Sequence, residues 1–241
     1  TLDCNGHSII NGYVFEDENK DYENYKCFIS YHNHGILVLD KEGVTIKDCK
    51  VKNFVIGIRL VNSRNNTLVG EEVSFNNFGI VMDSSTNNVL ENNKVKENCW
   101  GILIENESSH NLLRNNVMEN NRFNFGDSSL NNSVDESNTV DGKAIYYWIE
   151  KNNLEVPKDA GMVILNNCSN IVVKDLTIKN NHTGILLFNT TNSWLEGNTL
   201  ENNLYGLRLF YSNSNFIISN SINKNFFGIE IQNSSKNLLK R

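Results

Sequence analysis

Hydrophobic positions in this chain recur with a period of 22 residues. Each period contains a glycine, a large aliphatic residue after it and a second aliphatic residue two positions later, as in Gly79, Ile80 and Met82. A spacing of two is the period of a β-strand, whose side chains alternate between two faces. The glycines are Gly35, Gly57, Gly79 and Gly101 in one half and Gly184, Gly206 and Gly228 in the other.

A second hydrophobic set follows each glycine strand after a polar turn rich in Ser and Asn. Its inward positions have the spacing 0, +3, +5, as in Leu90, Asn93 and Val95. No stretch with helical spacing lies between the strands, which excludes a leucine-rich repeat. The sequence therefore predicts an all-β, single-stranded parallel β-helix, a β-solenoid with coils of about 22 residues. We expect it to be right-handed, because crossovers between parallel strands take that hand.

The period predicts one domain over residues 1–241, with regular and irregular stretches. Residues 1–34 are predicted to form irregular N-terminal coils, and 35–125 and 161–241 regular coils, the last ending in mid-coil. The period lengthens over residues 126–160, which predicts an insertion. We expect this insertion, with Tyr146, Tyr147 and Trp148, to fold back over the strands as a cover.

Asn accounts for 45 of the 241 residues and lies mostly at the predicted corners. Asn tolerates left-handed backbone conformations and can hydrogen-bond to an identical residue one coil away. Glu71 occupies an inward position that Asn93 and Asn220 fill in other coils. A buried carboxyl group there must be hydrogen-bonded or protonated.

Three cysteines, Cys4, Cys27 and Cys49, lie close to one period apart. Stacked coils are about 4.8 Å apart, near the Cα separation that a disulfide requires. One hypothesis is a disulfide across the first coils, which an oxidising compartment would permit. The alternative is a ladder of buried thiols.

Charge and composition exclude some classes of function. The net charge is −6 and no basic stripe is present to neutralise phosphates, so we expect no nucleic-acid binding. No run of 18 apolar residues occurs, so we expect no membrane span. The chain opens in mid-pattern at Thr1 and stops in mid-coil at Arg241, which favours a mature or trimmed segment. Flanking sequence or another chain is expected to cover the open coil end.

One stretch of the chain resembles a known family. Residues 138–148, NTVDGKAIYYW, with 157–161 and 167–177, resemble the NosD-like right-handed parallel β-helix proteins of archaeal and bacterial surfaces. The opening Leu2–Ile9 is similar to the first coil of the wider pectate-lyase-like group, which includes carbohydrate-active β-helices. The resemblance covers nearly the whole chain. It implies the fold and an extracytoplasmic location: cell surface, secreted or periplasmic.

The resemblance also raises two kinds of chemistry. The founding member is associated with copper delivery, so a metal-handling accessory protein is one alternative. Here only His32 and His34 share a strand face, and we expect no metal and no cofactor. Asp83 and Glu105 share an outward position on adjacent coils and are the best catalytic candidates. A polysaccharide lyase or glycoside hydrolase, which needs paired carboxylates or clustered Asp, is the other alternative.

Outward apolar and aromatic positions suggest a binding surface. A column of rings precedes the glycines, and an apolar strip follows them, which is more than a monomer usually exposes. Ring faces can receive sugars, and the same rings can serve as corner packing. The interpretation favours a non-catalytic scaffold or surface module that binds carbohydrate or a protein partner, with self-association through the strip or the open coil ends. The candidates are Phe78, Trp100, Phe125, Tyr205 and Phe227 in the column, Leu186, Phe188 and Phe210 in the strip, and Tyr146, Tyr147 and Trp148 in the insertion.

Seven N-x-S/T sequences mark possible glycosylation sites. They are Asn65, Asn106, Asn131, Asn167, Asn181, Asn189 and Asn233.

Overall fold

A computed structural model describes residues 1–11 and 33–241 of the chain. Within these residues the chain forms strands and turns and no helix. They make about nine parallel coils with a spacing of about 22 residues, which confirms the predicted β-solenoid. The chain divides into two compact units, Thr1–Ser133 and Val134–Arg241.

The first unit contains three stacks of short parallel strands. Strands β3, β6, β9, β12 and β15 form one sheet, β1, β4, β7, β10 and β13 a second, and β2, β5, β8, β11 and β14 a third. Their bounds are β1 (Leu2–Asp3), β2 (Ser8–Ile10), β3 (His34–Leu39), β4 (Thr45–Lys47), β5 (Lys50–Lys52), β6 (Ile56–Val61), β7 (Thr67–Val69), β8 (Glu72–Ser74), β9 (Phe78–Asp83), β10 (Val89–Glu91), β11 (Lys94–Lys96), β12 (Trp100–Glu105), β13 (Leu112–Arg114), β14 (Val117–Glu119) and β15 (Phe123–Asp127).

The second unit repeats this arrangement. Strands β17, β18, β19, β22, β25 and β28 lie in the sheet that holds the long strands, where β17 is antiparallel to β18 and the later pairs are parallel. Strands β20, β23, β26 and β29 form a second sheet, and β21, β24 and β27 a third. The bounds are β16 (Ser133–Val134), which spans the boundary, β17 (Thr139–Val140), β18 (Lys143–Ile149), β19 (Ala160–Asn166), β20 (Val172–Lys174), β21 (Thr177–Lys179), β22 (Thr183–Phe188), β23 (Trp194–Glu196), β24 (Thr199–Glu201), β25 (Tyr205–Phe210), β26 (Phe216–Ile218), β27 (Ser221–Asn223), β28 (Phe227–Gln232) and β29 (Leu238–Lys240).

Residues one period apart lie on neighbouring strands. Ile58 pairs with Ile80, and Ile80 with Ile102, all three at most 1% exposed. The glycine before each is required by the close approach of the coils. A Cβ on Gly79 would lie 2.5 Å from Val95 Cγ1 and 2.6 Å from the carbonyl oxygen of Gly101. No side chain fits there without moving backbone, since interiors are close-packed.

Buried Asn side chains form hydrogen-bonded ladders along the coils. The amide of Asn66 donates to Asn88 Oδ1, and that of Asn88 donates to Asn111 Oδ1. Each oxygen also accepts the backbone N–H of the previous rung, at 2.9 Å in both cases. The ladders satisfy backbone groups that the turns leave without strand partners. They explain why a chain so rich in Asn folds into an ordered core.

Coils that depart from 22 residues change two of the predictions. Trp100 pairs with Phe123, and Phe125 pairs with the inward Ile102, so Phe125 is fully buried. Its predicted place in the ring column is therefore wrong. The cause is a coil of 23 residues, in which Asn124 rather than Gly126 lies beside Gly101.

The predicted covering insertion is instead part of the solenoid. Residues 143–149 form β18, which pairs in parallel with β19 through a coil of only 17 residues. Tyr146 pairs with Val163 and belongs to the hydrophobic core. Trp148 packs against that core, and Tyr147 is buried. The two tyrosines are thus not exposed to a ligand, because backbone pairing has made this segment a structural strand.

A disulfide joins Cys4 to Cys49 in the first unit. Their Cα atoms are 4.8 Å apart, as expected of residues on adjacent coils. Cys27 lies outside the described residues, Cys99 is also disulfide-bonded and Cys168 is a buried free thiol. The cross-link closes a segment of 45 residues and so restricts the unfolded chain.

Candidate functional site

The outward face of β6, β9 and β12 carries three charged side chains. Arg59 lies two positions after its glycine, whereas Asp83 and Glu105 lie four positions after theirs. Asp83 and Glu105 are paired in register on adjacent strands. The alternation of side chains turns all three outward, while Leu60, Met82 and Ile104 enter the core.

Arg59 and Asp83 form an ion pair with an Nη2–Oδ2 distance of 2.8 Å, and both side chains are about 15% exposed. Asp83 also accepts hydrogen bonds from Asn106 at 2.9 Å and Ser84 at 3.2 Å. Burial by itself would raise the pKa of Asp83, but these hydrogen bonds and the Arg59 charge outweigh it and lower the pKa. Asp83 is therefore held ionised and in a fixed orientation.

Glu105 is in the opposite electrostatic situation. Burial raises the pKa of its carboxyl group, and the neighbouring charge of Asp83 raises it further, while Arg59 acts weakly in the other direction. Two carboxyl groups one coil apart thus have pKa values shifted in opposite directions. Such opposite shifts are typical of acid and base pairs in active sites.

A polar groove borders this charged group. It has a volume of about 450 Å³ and runs over the turns that follow three successive long strands. Asn62 donates to Asp40 at 2.7 Å, and Arg64 donates to Glu42 at 2.9 Å. The full lining is Asp40, Lys41, Glu42, Asn62, Ser63, Arg64, Ser84 and Thr86. Ser84, a lining residue, donates a hydrogen bond to Asp83, so the charged group lies beside the groove.

Sequence reasoning did not identify this groove. The signal was present in the polar turn after each long strand, which we interpreted only as corner structure. Several residues there have positive φ, including Asp40 at 53°, Asn62 at 46° and Ser84 at 49°. Small polar residues are common in that backbone region, so the pattern alone does not separate a turn from a binding groove.

The ring column of the first unit is closed to face-on stacking. The rings of Phe78 and Trp100 are stacked, with centroids 6.0 Å apart and planes 11° from parallel. Trp100 and Phe123 lie at 4.7 Å with a tilt of 49°. The faces of these rings are therefore directed at one another along the column. A sugar approaching from solvent would meet mainly ring edges, which favours the packing interpretation here.

The outward face of the second unit is also largely covered. Leu186, a predicted contact residue, is 3% exposed and so cannot form an open binding strip. Phe188 and Phe210 are partly buried, and Phe188 packs edge-on against Tyr211 at 5.7 Å. Tyr205 and Phe227 are stacked at 4.7 Å with planes 16° apart. Phe227 remains 46% exposed, on the last long strand.

The second unit has an exposed aromatic pair on another face that was not predicted from the sequence. Trp194 and Phe216 stack at 4.7 Å on strands β23 and β26. Trp194 is 38% exposed, and Leu238 in the same row is 47% exposed. Strands β23 and β26 do not contain the period glycines, and the predicted aromatic column was confined to the strands that do.

The predicted metal candidates are His32 and His34, and the described part of the chain can be searched for ligand clusters. There, no group of three or more His, Cys, Asp or Glu side chains is placed to hold an ion. His34 lies at the start of β3, and His32 lies outside the described residues. The described residues also include no helix with the length and hydrophobicity of a membrane-spanning segment.

Six of the seven predicted glycosylation positions are exposed, and Asn181 is not. The Asn181 amide donates to the carbonyl oxygens of Gly161 and Lys179, at 2.9 and 3.0 Å. It is therefore a ladder residue, and its prediction as an acceptor is wrong for the folded protein.

Glu71 is a rung of an Asn ladder, as its position predicted. It is 1% exposed, and its Oε2 accepts the Cys49 N–H at 3.2 Å. Its Oε1 has no hydrogen-bond partner among the described residues. Burial, with a smaller effect of the Asp48 charge, raises the pKa of Glu71 to about 8 despite the Cys49 hydrogen bond. A neutral carboxylic acid can replace the Asn amide, because its O–H supplies a donor.

Comparison with known proteins gives a family match and distant structural likenesses. The profile of the family described as right handed beta helix region matches residues 14–157 and 147–241. A search of curated proteins finds no match.

The A-module of the mannuronan C-5 epimerase AlgE4 of Azotobacter vinelandii is similar over 83% of this chain, with 16% identity and a TM-score of 0.38. A mutant of the periplasmic alginate epimerase AlgG is similar over 81%, with 16% identity and a TM-score of 0.39. The matches cover 60% and 49% of those two proteins. The fluoroquinolone resistance protein QnrB1 is similar over 85% of this chain and 91% of its own, with 9% identity and a TM-score of 0.27.

Proposed function

Since the chain belongs to the right-handed β-helix family, we propose that it is an extracytoplasmic protein that binds a neutral polysaccharide in the groove of its first unit. The observation that carries this proposal is the polar groove of about 450 Å³ that spans three successive coils. Its walls consist of amide, hydroxyl, carboxylate and cationic groups. These groups donate and accept hydrogen bonds as sugar hydroxyls require.

The repetition of the groove supports a linear polymer as the ligand. Equivalent turns supply Asp40, Asn62 and Ser84 along one side, and Glu42, Arg64 and Thr86 along the other. Neighbouring coils are about 4.8 Å apart, so similar polar groups recur at short, regular intervals. A chain of repeating sugars can meet such a row with a polar contact at each of the three coils. A compact ligand would use only part of it.

The charge of the groove supports a neutral polymer. Asp40 and Glu42 are balanced by Lys41 and Arg64, so the lining has no excess of positive charge. Arg64 is moreover bonded to Glu42 through both Nε and Nη2. A polyanion such as nucleic acid or a polyuronate needs uncompensated cations. Neutral sugars need only the hydrogen bonds.

Two features support an extracytoplasmic location, which is part of the proposal. The Cys4–Cys49 disulfide is typical of proteins that fold in an oxidising compartment. The stretch 138–148 resembles NosD-like surface proteins, and that subgroup assignment is proposed on the same basis.

Affinity electrophoresis of the intact protein tests this function. Separate gels should contain a neutral polymer (a glucan, a xylan or a galactomannan) or a polyuronate. We expect a neutral polymer to retard the migration of the protein. Asn62→Gly with Arg64→Ala should weaken retention about 30-fold, since the two lost hydrogen bonds contribute about 1 kcal/mol each. Gly suits the φ of 46° at position 62.

Trp194→Ala is the matched control, because Trp194 is an exposed aromatic side chain in the second unit and does not line the groove. It should leave retention unchanged. If the Trp194 variant lost binding and the groove variant kept it, the binding site would be the Trp194–Phe216 row and not the groove. Migration unaffected by every neutral polymer would refute the proposal.

A further inference from the structure

We infer that Asp83 and Glu105 form a catalytic pair that hydrolyses a glycosidic bond of the polymer held in the groove, which makes the first unit a retaining glycoside hydrolase. This inference rests on the proposed function, because the substrate is the polymer bound there. Its structural basis is a pair of carboxyl groups in register on adjacent strands. Arg59 fixes one of them, Asp83, which also accepts a hydrogen bond from Ser84 in the groove lining.

The separation of the two carboxyl groups follows from the register. Asp83 and Glu105 are Cα partners on β9 and β12. Adjacent strands are about 4.8 Å apart, so carboxyl groups directed the same way are separated by roughly 5 Å. Retaining glycosidases place their two carboxyl groups at about this separation, whereas inverting enzymes leave room for a water molecule between them. The geometry therefore favours direct attack by one carboxylate.

The surroundings assign a role to each residue. Asp83 accepts hydrogen bonds from Arg59, Asn106 and Ser84, which stabilise its anionic form. Glu105 lies beside this anion and is only partly exposed, conditions that favour its neutral form. Asp83 is thus the nucleophile and Glu105 the acid. The opposite pKa shifts described above agree with this assignment.

The reaction proceeds in two steps. In the first, Asp83 attacks the anomeric carbon while the bond to the leaving oxygen breaks and Glu105 gives its proton to that oxygen. The products are a shortened polymer and a glycosyl ester on Asp83. In the second, Glu105, now a carboxylate, takes a proton from water, and the resulting oxygen attacks the same carbon and breaks the ester. Both side chains return to their starting protonation states.

Another Arg–carboxylate pair of the first unit provides a contrast. Glu91 pairs with Arg114 at 2.8 Å on strands β10 and β13. Its register partners are Val69 and Arg114, so no second carboxyl group is paired with it in register. Glu91 is partly buried and cross-strand paired like Asp83, but its strands β10 and β13 belong to a different sheet from β9 and β12. It is therefore a matched control.

The experiment uses the intact protein and whichever neutral polymer is retarded in affinity gels. New reducing ends and the anomeric configuration of the first product are measured, by colorimetry and proton NMR. We expect release of reducing ends with retained configuration. Glu105→Gln and Asp83→Asn should each lower the rate at least about 100-fold, the usual effect of removing an acid–base group, with unchanged retardation. Glu91→Gln should stay within twofold of the parent protein.

The outcomes separate the two proposals. A polymer that is retarded but yields no reducing ends overturns the catalytic inference and leaves the binding function intact. A product of inverted configuration overturns the nucleophilic role of Asp83. If no neutral polymer is retarded, the binding function is refuted and the catalytic inference with it. Melting curves of both variants show whether loss of rate reflects loss of fold.

Discussion

The outward faces of the two units use the same residue in different ways. Arg59 and Arg208 each lie two positions after a period glycine. Arg59 pairs at 2.8 Å with Asp83, which has a second carboxyl group, Glu105, beside it. Arg208 pairs at 2.7 Å with Glu230, its partner in register.

The environment of Arg208 makes its role one of packing. Its guanidinium group lies 4.1 Å from the centroid of the Tyr205 ring and 4.5 Å from that of Phe210. Aromatic rings on both sides stabilise the cation and fill the space that a ligand would need. At Arg59 the next two coils instead carry Asp83 and Glu105, beside a groove. The repeat thus places an arginine at the same position in both units. The residues on the neighbouring coils determine whether that arginine packs between aromatic rings or holds a carboxylate beside a second carboxyl group.

Removing the Cys4–Cys49 disulfide should produce the largest difference between the units. The double variant Cys4→Ala with Cys49→Ala loses a cross-link over 45 residues, for which loop entropy gives about 4 kcal/mol. Hydrogen exchange should show the loss mainly in the first unit. Cys168→Ala, which removes a buried free thiol in the second unit, is the control and should cost about 1 kcal/mol. Equal losses of protection in both units would contradict this expectation.

Gly79→Ala should cause the next largest loss in the free energy of unfolding. The added Cβ would lie 2.6 Å from the carbonyl oxygen of Gly101, so two coils must separate, at a cost of about 3 kcal/mol in urea unfolding. Gly228→Ala is the matched control, because nothing lies within 4 Å of its added Cβ on the last long strand. A Gly79 variant as stable as the Gly228 variant would show that the coils stack less closely than described.

Glu71→Gln tests a ladder position that is ionisable in the first unit only. In the second unit Asn198 occupies the equivalent position. Burial raises the pKa of Glu71 from 4.5 to about 8, so the folded protein retains a proton that the unfolded chain has released. Stability must then fall as pH rises from 4.5 to 8, by up to about 1.4 kcal/mol per pH unit. The Gln variant should lose this slope and be the more stable protein at pH 8. Parallel stability curves for the two proteins between pH 4.5 and 8 would refute the assignment.

Substitution of Arg59 or Arg208 should give the smallest effects on stability. The two substitutions should differ in their effect on the pKa of Asp83. Arg59→Met and Arg208→Met should each cost less than about 1 kcal/mol, because partly exposed ion pairs contribute little. Only Arg59→Met should raise the pKa of Asp83, measured by NMR, since it removes a hydrogen bond and a positive charge. An unchanged Asp83 titration would mean that Asn106 and Ser84 alone hold its pKa down.

Much of the fold could be predicted from the spacing of residues. The glycine period identified strands and core positions such as Ile80 and Ile102, because a repeating coil places like residues above one another. The pairing of Asp83 with Glu105 followed from the same spacing. The ladder position of Glu71 did as well.

Two of the errors occurred where the coil length changes. A coil of 23 residues moved Phe125 into the core, and a coil of 17 residues turned the expected insertion into strand β18. Strand pairing fixes such shifts through backbone hydrogen bonds, which the side-chain pattern does not record. A slip of one residue moves every side chain of a strand to the other face.

The sequence by itself determined the coil, its period and its buried Asn ladders, because these depend on local alternation and on identical residues meeting along one axis. Tertiary structure alone decided which outward residues are covered, which carboxyl group is held ionised by Arg59, and that polar turns of three coils form one groove. Burial and electrostatic environment arise only when distant segments pack together, so no spacing along the chain encodes them directly.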